Sequence, residues 1–176
     1  MRNICIVFLM CFAFISKAQT MVNPVIKNYG GIYDVPNAVE KPDPSLEYKI
    51  VVDLAMGSDK PNEVNFGLNN IARMINLHVV GGVPREKLHI IVAIHNEASY
   101  SIMSNEAYRT KYKTDNPNLA LYDALSDAGV QFFICGQSII NRKIDPEKIS
   151  DRVKIATSML TVFTTYQLKG YAALKF

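Results

Sequence analysis

Two apolar runs constrain this chain more than anything else in it. Tyr48–Ala55 (YKIVVDLA) and Leu88–Ile94 (LHIIVAI) are continuous, rich in β-branched residues and short. A strand that is apolar at consecutive positions has to be covered on both faces. That is the pattern of a parallel sheet held between helical layers. Gly57-Ser58-Asp59-Lys60-Pro61 ends the first run. Val64, Leu68, Ile71 and Ile75 then recur at spacings of four, three and four, which predicts one helix face, and Gly81-Gly82-Val83-Pro84 stops it.

The alternation continues to the end of the chain. Ser99–Lys113 reads as helical with a break around Ser104-Asn105. Asn116-Pro117 offers a cap followed by a first-turn proline, and Leu121, Ala124, Leu125 and Ala128 form the stripe of the next helix, stopped by Gly129. Val130–Ile134 is a third strand that runs into Cys135, with a short helical turn expected over Gln137–Asn141 and another start at Asp145-Pro146-Glu147. Val153–Ala156 is a fourth strand. Met159, Val162, Phe163 and Tyr166 line a helix that stops at Lys169-Gly170, and Tyr171–Phe176 closes as a fifth strand. The expected fold is α/β: three layers, α/β/α, around a five-stranded, mainly parallel sheet over residues 48–176.

The first twenty residues have a different logic. Arg2 is followed by a twelve-residue apolar run, Ile4–Ile15, and then by Ser16-Lys17-Ala18. A basic start, a short apolar centre and small residues three and one before a cut form the layout of a secretory signal, expected over residues 1–18. The run is shorter than the roughly 20 residues that cross a bilayer, so no stable span is expected after cleavage. Met10 stands where a lipoprotein signal before Cys11 would want a small residue. Residues 19–47 hold Pro24, Gly30, Gly31, Pro36, Pro42 and Pro44, and read as an irregular arm whose apolar members, Val22, Val25, Ile26, Ile32, Tyr33 and Val35, point to packing against some surface, the alternative being a mobile tail. Export across the inner membrane, to a periplasm, is the expected location.

Composition narrows the function. Apolar residues make up 49 % and charged residues 20 % of 176 residues, as in a globular domain. The formal net charge is +3, with no Lys/Arg stripe, so no nucleic-acid partner is expected. No G-x-G-x-x-G, P-loop lysine motif, G-x-S-x-G elbow or C-x-x-C occurs, and no Cys/His cluster suggests a metal. No cofactor is expected. Loss of the leader would remove Cys5 and Cys11 and leave Cys135 as the single thiol.

In open α/β sheets the chemistry sits outside the carboxyl ends of the strands. Here those ends lead into Met56-Gly57-Ser58-Asp59, His95-Asn96-Glu97 and Cys135-Gly136-Gln137-Ser138. Cys135 would meet free backbone N–H groups at a helical turn, which favours a thiolate. His95 is the candidate acid–base partner, and Asn96, Gly136, Gln137 and Ser138 are the candidate ligand-binding positions. Asp53 reads as a hydrogen-bonded acid inside its strand, while His78 and His89 carry little functional weight. Two readings stand for Cys135: a reactive nucleophile, or an inert cysteine packed as a small hydrophobe.

The segment Ala128-Gly129-Val130-Gln131-Phe132-Phe133-Ile134-Cys135-Gly136-Gln137-Ser138 resembles the cysteine segment of DsrE/DsrF-like proteins. Asn116-Pro117-Asn118-Leu119-Ala120 and the stretch from Val153-Lys154-Ile155-Ala156 to Gln167-Leu168-Lys169-Gly170-Tyr171-Ala172 are similar to that family as well. The resemblance covers about Tyr48 to Phe176. It implies a three-layer α/β/α fold, homo-oligomers (trimers or hexamers) and, in sulfur-relay members, a persulfide on the strand-end cysteine, here Cys135. It further implies a sulfur donor or acceptor protein as partner. His95 falls where related chains often carry a His-Gly pair, with Asn96 in the glycine's place. The competing function is a non-catalytic, oligomeric module that binds a small ligand or serves assembly.

N-terminal sequencing of the exported protein should begin at Gln19. An intact Met1 in the exported fraction would rule out the signal peptide.

Overall fold

The computed structural model describes residues 20–176. The leader expected over 1–18 lies outside the described residues.

Five strands form one sheet: β1 (Tyr48–Leu54), β2 (Leu88–Ile94), β3 (Gln131–Cys135), β4 (Val153–Ala156) and β5 (Ala172–Lys175). Their order across the sheet is β4-β3-β2-β1-β5, and every pairing is parallel. The helices are α1 (Phe66–Val80), α2 (Asn105–Tyr112), α3 (Leu119–Asp127), α4 (Gly136–Arg142) and α5 (Met159–Leu168). From β1 to β4 the chain steps one way across the sheet, so crossovers of one hand put α1 to α4 on one face. The step from β4 back to β5 spans the whole sheet and puts α5 on the other.

Side-chain alternation assigns the two faces. Ile50, Val52 and Leu54 of β1, Ile90, Val92 and Ile94 of β2, and Phe132 and Ile134 of β3 join the main core with Leu68, Ile71 and Ile75 of α1, Leu121 and Leu125 of α3 and Ile139 of α4. The intervening residues Val51, Ile91 and Ala93 meet Val162 of α5, with Phe133, Phe163 and Tyr166 packed around them. Both β1 and β2 are therefore covered on both faces, as their continuous apolar runs require. The edge strand β5 is exposed along its length.

Most element ends follow the sequence signals, with one correction. Asn116-Pro117 does not cap α3. The helix begins after Asn118, while the buried Asn116 side chain donates to the carbonyls of Ser101 and Met103 at 2.8 and 2.6 Å. An asparagine beside a proline can serve as a loop staple as well as a cap, and here the staple wins. The break expected near Ser104 is real: a short 3-10 turn (Asn96–Ile102) closes at Met103, and Ser104 caps α2 through its hydroxyl.

Residues 20–47 contain no strand, only an isolated bridge between Val22 and Ile32. Ile26 and Ile32 are buried. One side chain of α1 fixes this segment. Asn76, 0 % exposed, accepts from the N–H groups of Val25 and Ile26 at 3.0 Å and donates to the carbonyls of Tyr29 and Gly30 at 3.1 and 3.0 Å. Asn69 accepts from the N–H of Gly30 at 2.8 Å. Gly30, at φ +60°, lies so close to the α1 backbone that a Cβ would stand 2.2 Å from the nitrogen of Arg73.

Asn76→Ala would leave three backbone groups without their partner, the N–H groups of Val25 and Ile26 and the carbonyl of Gly30, while the Tyr29 carbonyl keeps the Asn23 amide. We expect a loss of about 2–4 kcal/mol in urea unfolding, with new proteolytic cleavage within residues 20–47. Unchanged stability and protection would show that the apolar contacts hold the arm unaided.

Candidate functional site: the thiol at the sheet's carboxyl edge

Cys135 is the last residue of β3, and α4 starts at Gly136. Its neighbour β4 ends at Ala156, paired with Cys135, and leads to α5. At this pair of strand ends the chain leaves toward opposite faces of the sheet. Such a divergence opens a crevice, and it is where open α/β sheets place their ligands. The starts of two helices flank one sulfur.

The contacts of the sulfur follow from that arrangement. The thiol lies 3.8 Å from the Ser158 hydroxyl, which caps α5 by accepting from the N–H of Leu160 at 3.2 Å. Backbone N–H groups of Met159 and Ser138 and the hydroxyls of Ser138 and Ser158 address the sulfur. Burial alone would push the thiol up, since Cys135 is only 6 % exposed, but these donors together outweigh burial and hold it below the usual thiol range.

The other predicted positions divide. Ser138 touches the sulfur, and its Oγ accepts from the N–H of Asn96 at 3.3 Å. Asn96 adopts φ +48°, the left-handed region that favours glycine, so the tight turn after His95 forms with asparagine in place. Gly136 makes its close approach to β4: a Cβ there would stand 2.8 Å from the Ala156 carbonyl oxygen. Gln137 donates to the Thr157 carbonyl at 3.4 Å and so ties α4 to the start of α5.

His95 lies one step past the Ile94–Ile134 pair, in the position alongside Cys135. By the alternation of the strands, Asp53, His95 and Cys135 face the α5 side together. His95 Nε2 and Asp53 Oδ1 are 2.6 Å apart, with both side chains 14 % exposed. A carboxylate accepts, so Nε2 carries the proton and a neutral ring keeps its lone pair on Nδ1. Sequence reasoning gave Asp53 the right chemistry, a hydrogen-bonded acid, without its partner. It placed Met159 on its helix but connected neither Met159 nor Ser158 to the thiol, although a serine before the apolar Met159-Leu160 is a visible cap signal. His78 and His89 sit at the opposite end of the strands, against Tyr48 and Glu47.

A row of thiol, imidazole and carboxylate, with donors aimed at the sulfur, can hold a thiolate, attack a soft electrophile and move a proton. Among the described residues, no group of three His, Cys, Asp or Glu is placed to hold a metal ion, and no helix is long and apolar enough to cross a membrane.

Residues 49–176 match the model of the DsrE/DsrF-like family. No curated protein sequence matches the chain. Among solved structures it is similar to MTH1491, a protein of unknown function from Methanobacterium thermoautotrophicum. That match has a TM-score of 0.56 and 16 % identity, and covers 73 % of this chain and 99 % of that one. It is also similar to the ychN protein from E. coli, with a TM-score of 0.49 and 17 % identity over 73 % of this chain and 99 % of that one. The all-parallel five-stranded sheet agrees with MTH1491 in fold, and the family match spans every strand: this chain belongs to the DsrE/DsrF-like family.

Proposed function

We propose that this protein is exported and carries sulfane sulfur on Cys135. The observation that carries this reading is the placement of the sulfur between the starts of α4 and α5, with four donors that favour its charged form. The thiolate attacks the outer sulfur of a donor persulfide. The donor's S–S bond breaks, its thiolate leaves with the electron pair, and Cys135 becomes the persulfide. An acceptor thiolate then takes the outer sulfur and returns Cys135 to the thiolate. No net oxidation occurs and no cofactor is needed. The same donors serve the anionic persulfide, and His95, oriented by Asp53, supplies and removes the proton.

The carrier acts as a homo-oligomer, a trimer or hexamer. Helix α5 contains no charged residue and exposes Leu160 and Leu168, at 67 % and 90 %. Apolar surface of this kind is buried by association in soluble proteins. Leu160 follows Met159 directly, so such an interface would border the thiol. Light scattering of the mature protein should report a multiple of its chain mass, and Leu160→Asp should lower it. A monomer at all concentrations would overturn the oligomer.

The low exposure of Cys135 supports a second reading, an inert cysteine in a binding or assembly module. Alkylation separates the two. A thiol held low reacts with iodoacetamide at pH values below the usual range near 8.5. Ser138→Ala and Ser158→Ala should each move the half-maximal pH upward, because each removes a donor that favours the thiolate. An inert cysteine reacts only after denaturation and ignores both changes.

Incubation with a low-molecular-weight persulfide should add one sulfur to the intact mass, and Cys135→Ser should abolish the addition. A native protein that alkylates readily yet never gains the sulfur would exclude carriage.

A further inference from the structure

On the face of the sheet away from the thiol row, a cavity of about 610 Å³ opens beyond the ends of β1 and β2. Cys135 does not line it. Its walls come from the loop after β1, the 3-10 turn after β2, the rings of Tyr100, Tyr108 and Tyr112, the N-caps of α1 and α3, and Arg142 at the end of α4. Small-molecule sites commonly span about 300–1,000 Å³ and combine aromatic walls with a few placed polar groups.

The polar groups show which chemistry fits. Asn65 and Asn118 are 1 % and 2 % exposed. The Oδ1 of Asn65 accepts from the N–H of Leu68 at 3.1 Å, and the Oδ1 of Asn118 accepts from the N–H of Asn65 at 2.7 Å, which fixes both amide orientations. Each Nδ2 makes one hydrogen bond: Asn65 to the Met56 carbonyl at 2.7 Å, and Asn118 to Asn116 Oδ1 at 2.9 Å. An amide nitrogen has two hydrogens, so each leaves one donor over in the cavity wall. The half-buried Tyr112 has ring contacts to Tyr100 and Tyr108, and its hydroxyl has no hydrogen-bond partner among the described residues. Burial pushes it up to about 12, so it stays a donor at neutral pH.

Of the three charged residues in the cavity wall, Arg142 and Glu97 are matched to each other, and Asp59 is exposed in the loop after β1, where water and salt screen its charge. Arg142 is 2.7 Å from Glu97, and its guanidinium lies 5.3 Å from the centre of the Tyr100 ring. The Lys111 ammonium stands over the Tyr100 and Tyr112 rings at 4.1 and 5.2 Å. The chain's own cations thus take up the ring faces that a cationic ligand would need, and Glu97 takes up the guanidinium that an anion would need. What remains is a set of spare donors between tyrosine rings.

We propose that this cavity binds an uncharged planar heterocycle whose edge presents carbonyl or ring-nitrogen acceptors. The rings of Tyr108 and Tyr112 line its plane, and the spare N–H groups of Asn65 and Asn118 and the Tyr112 hydroxyl meet its edge. The site is independent of sulfur chemistry at Cys135, so either can fail without the other.

Three probes test it on the mature protein: riboflavin (planar, carbonyl edge), tryptamine (planar, cationic) and succinate (anionic, no ring). Riboflavin fluorescence should change saturably, and ligand-observed NMR should register no saturable binding of the other two. Tyr112→Phe should weaken riboflavin about fivefold and Tyr112→Leu about tenfold or more. Circular dichroism checks that both variants remain folded. Saturable binding of tryptamine or succinate alone, no binding of riboflavin at 1 mM (about 1 mM being a −4 kcal/mol interaction), or riboflavin affinity unmoved in both variants would each overturn the assignment.

Discussion

The site depends on the departure of the chain from β3 and β4 toward opposite faces of the sheet. Helix α4 leaves Cys135 on the side of the main core, and α5 leaves the neighbouring strand on the other. Were both on one face, only one helix start could address the sulfur. The divergence is enforced by topology, because β5 pairs with β1 at the far side of the sheet and β4 lies at the near edge. The chain must cross the whole sheet to get there, and a crossover in the reverse direction with the usual hand lies on the opposite face. The donors from Ser158 and Met159 therefore exist only once the last strand has docked.

The strands were legible because burial on both faces writes continuous apolar runs, and β1, β2 and β3 carry them. The helices were legible from spacing, and Cys135 from its place after a strand and before glycine. What the sequence withheld depends on register. Asp53 and His95 are 42 residues apart, and only the pairing of β1 with β2 makes them neighbours on one face. Ser158 stands 23 residues from Cys135 and reaches it only through the Cys135–Ala156 pair. Asn116 misled for a related reason. Its cap-like position beside Pro117 is local, while its partners, Ser101 and Met103, belong to the turn after β2. The tyrosines of the cavity gave no signal either, since they come from two separate elements that the fold brings together.

Buried asparagines, more than ion pairs, hold the loops of this protein. The ion pair Lys60–Glu63 and those of Lys148 and Arg152 lie on the surface, where pairs contribute little. Asn65, Asn76, Asn116 and Asn118 are buried, and each bonds backbone in a segment without regular structure. An amide offers donors and acceptors without a charge to desolvate, which suits loops that must be both buried and irregular. The arrangement also leaves donors over, and at the carboxyl ends of β1 and β2 that surplus faces a cavity.

One backbone group links the two halves of the carboxyl edge. Asn96 lines the cavity, and its N–H reaches Ser138 Oγ, which in turn addresses the Cys135 sulfur. The contact is made by the main chain at positive φ, so the identity of the side chain matters less than the turn it permits. Glycine would hold the turn with less strain, while a β-branched residue would not hold it at all. Asparagine keeps the turn and adds an amide to the cavity wall. The same short turn thus sets the orientation of His95 on one face, one wall of the cavity on the other, and a hydroxyl donor to the sulfur between them.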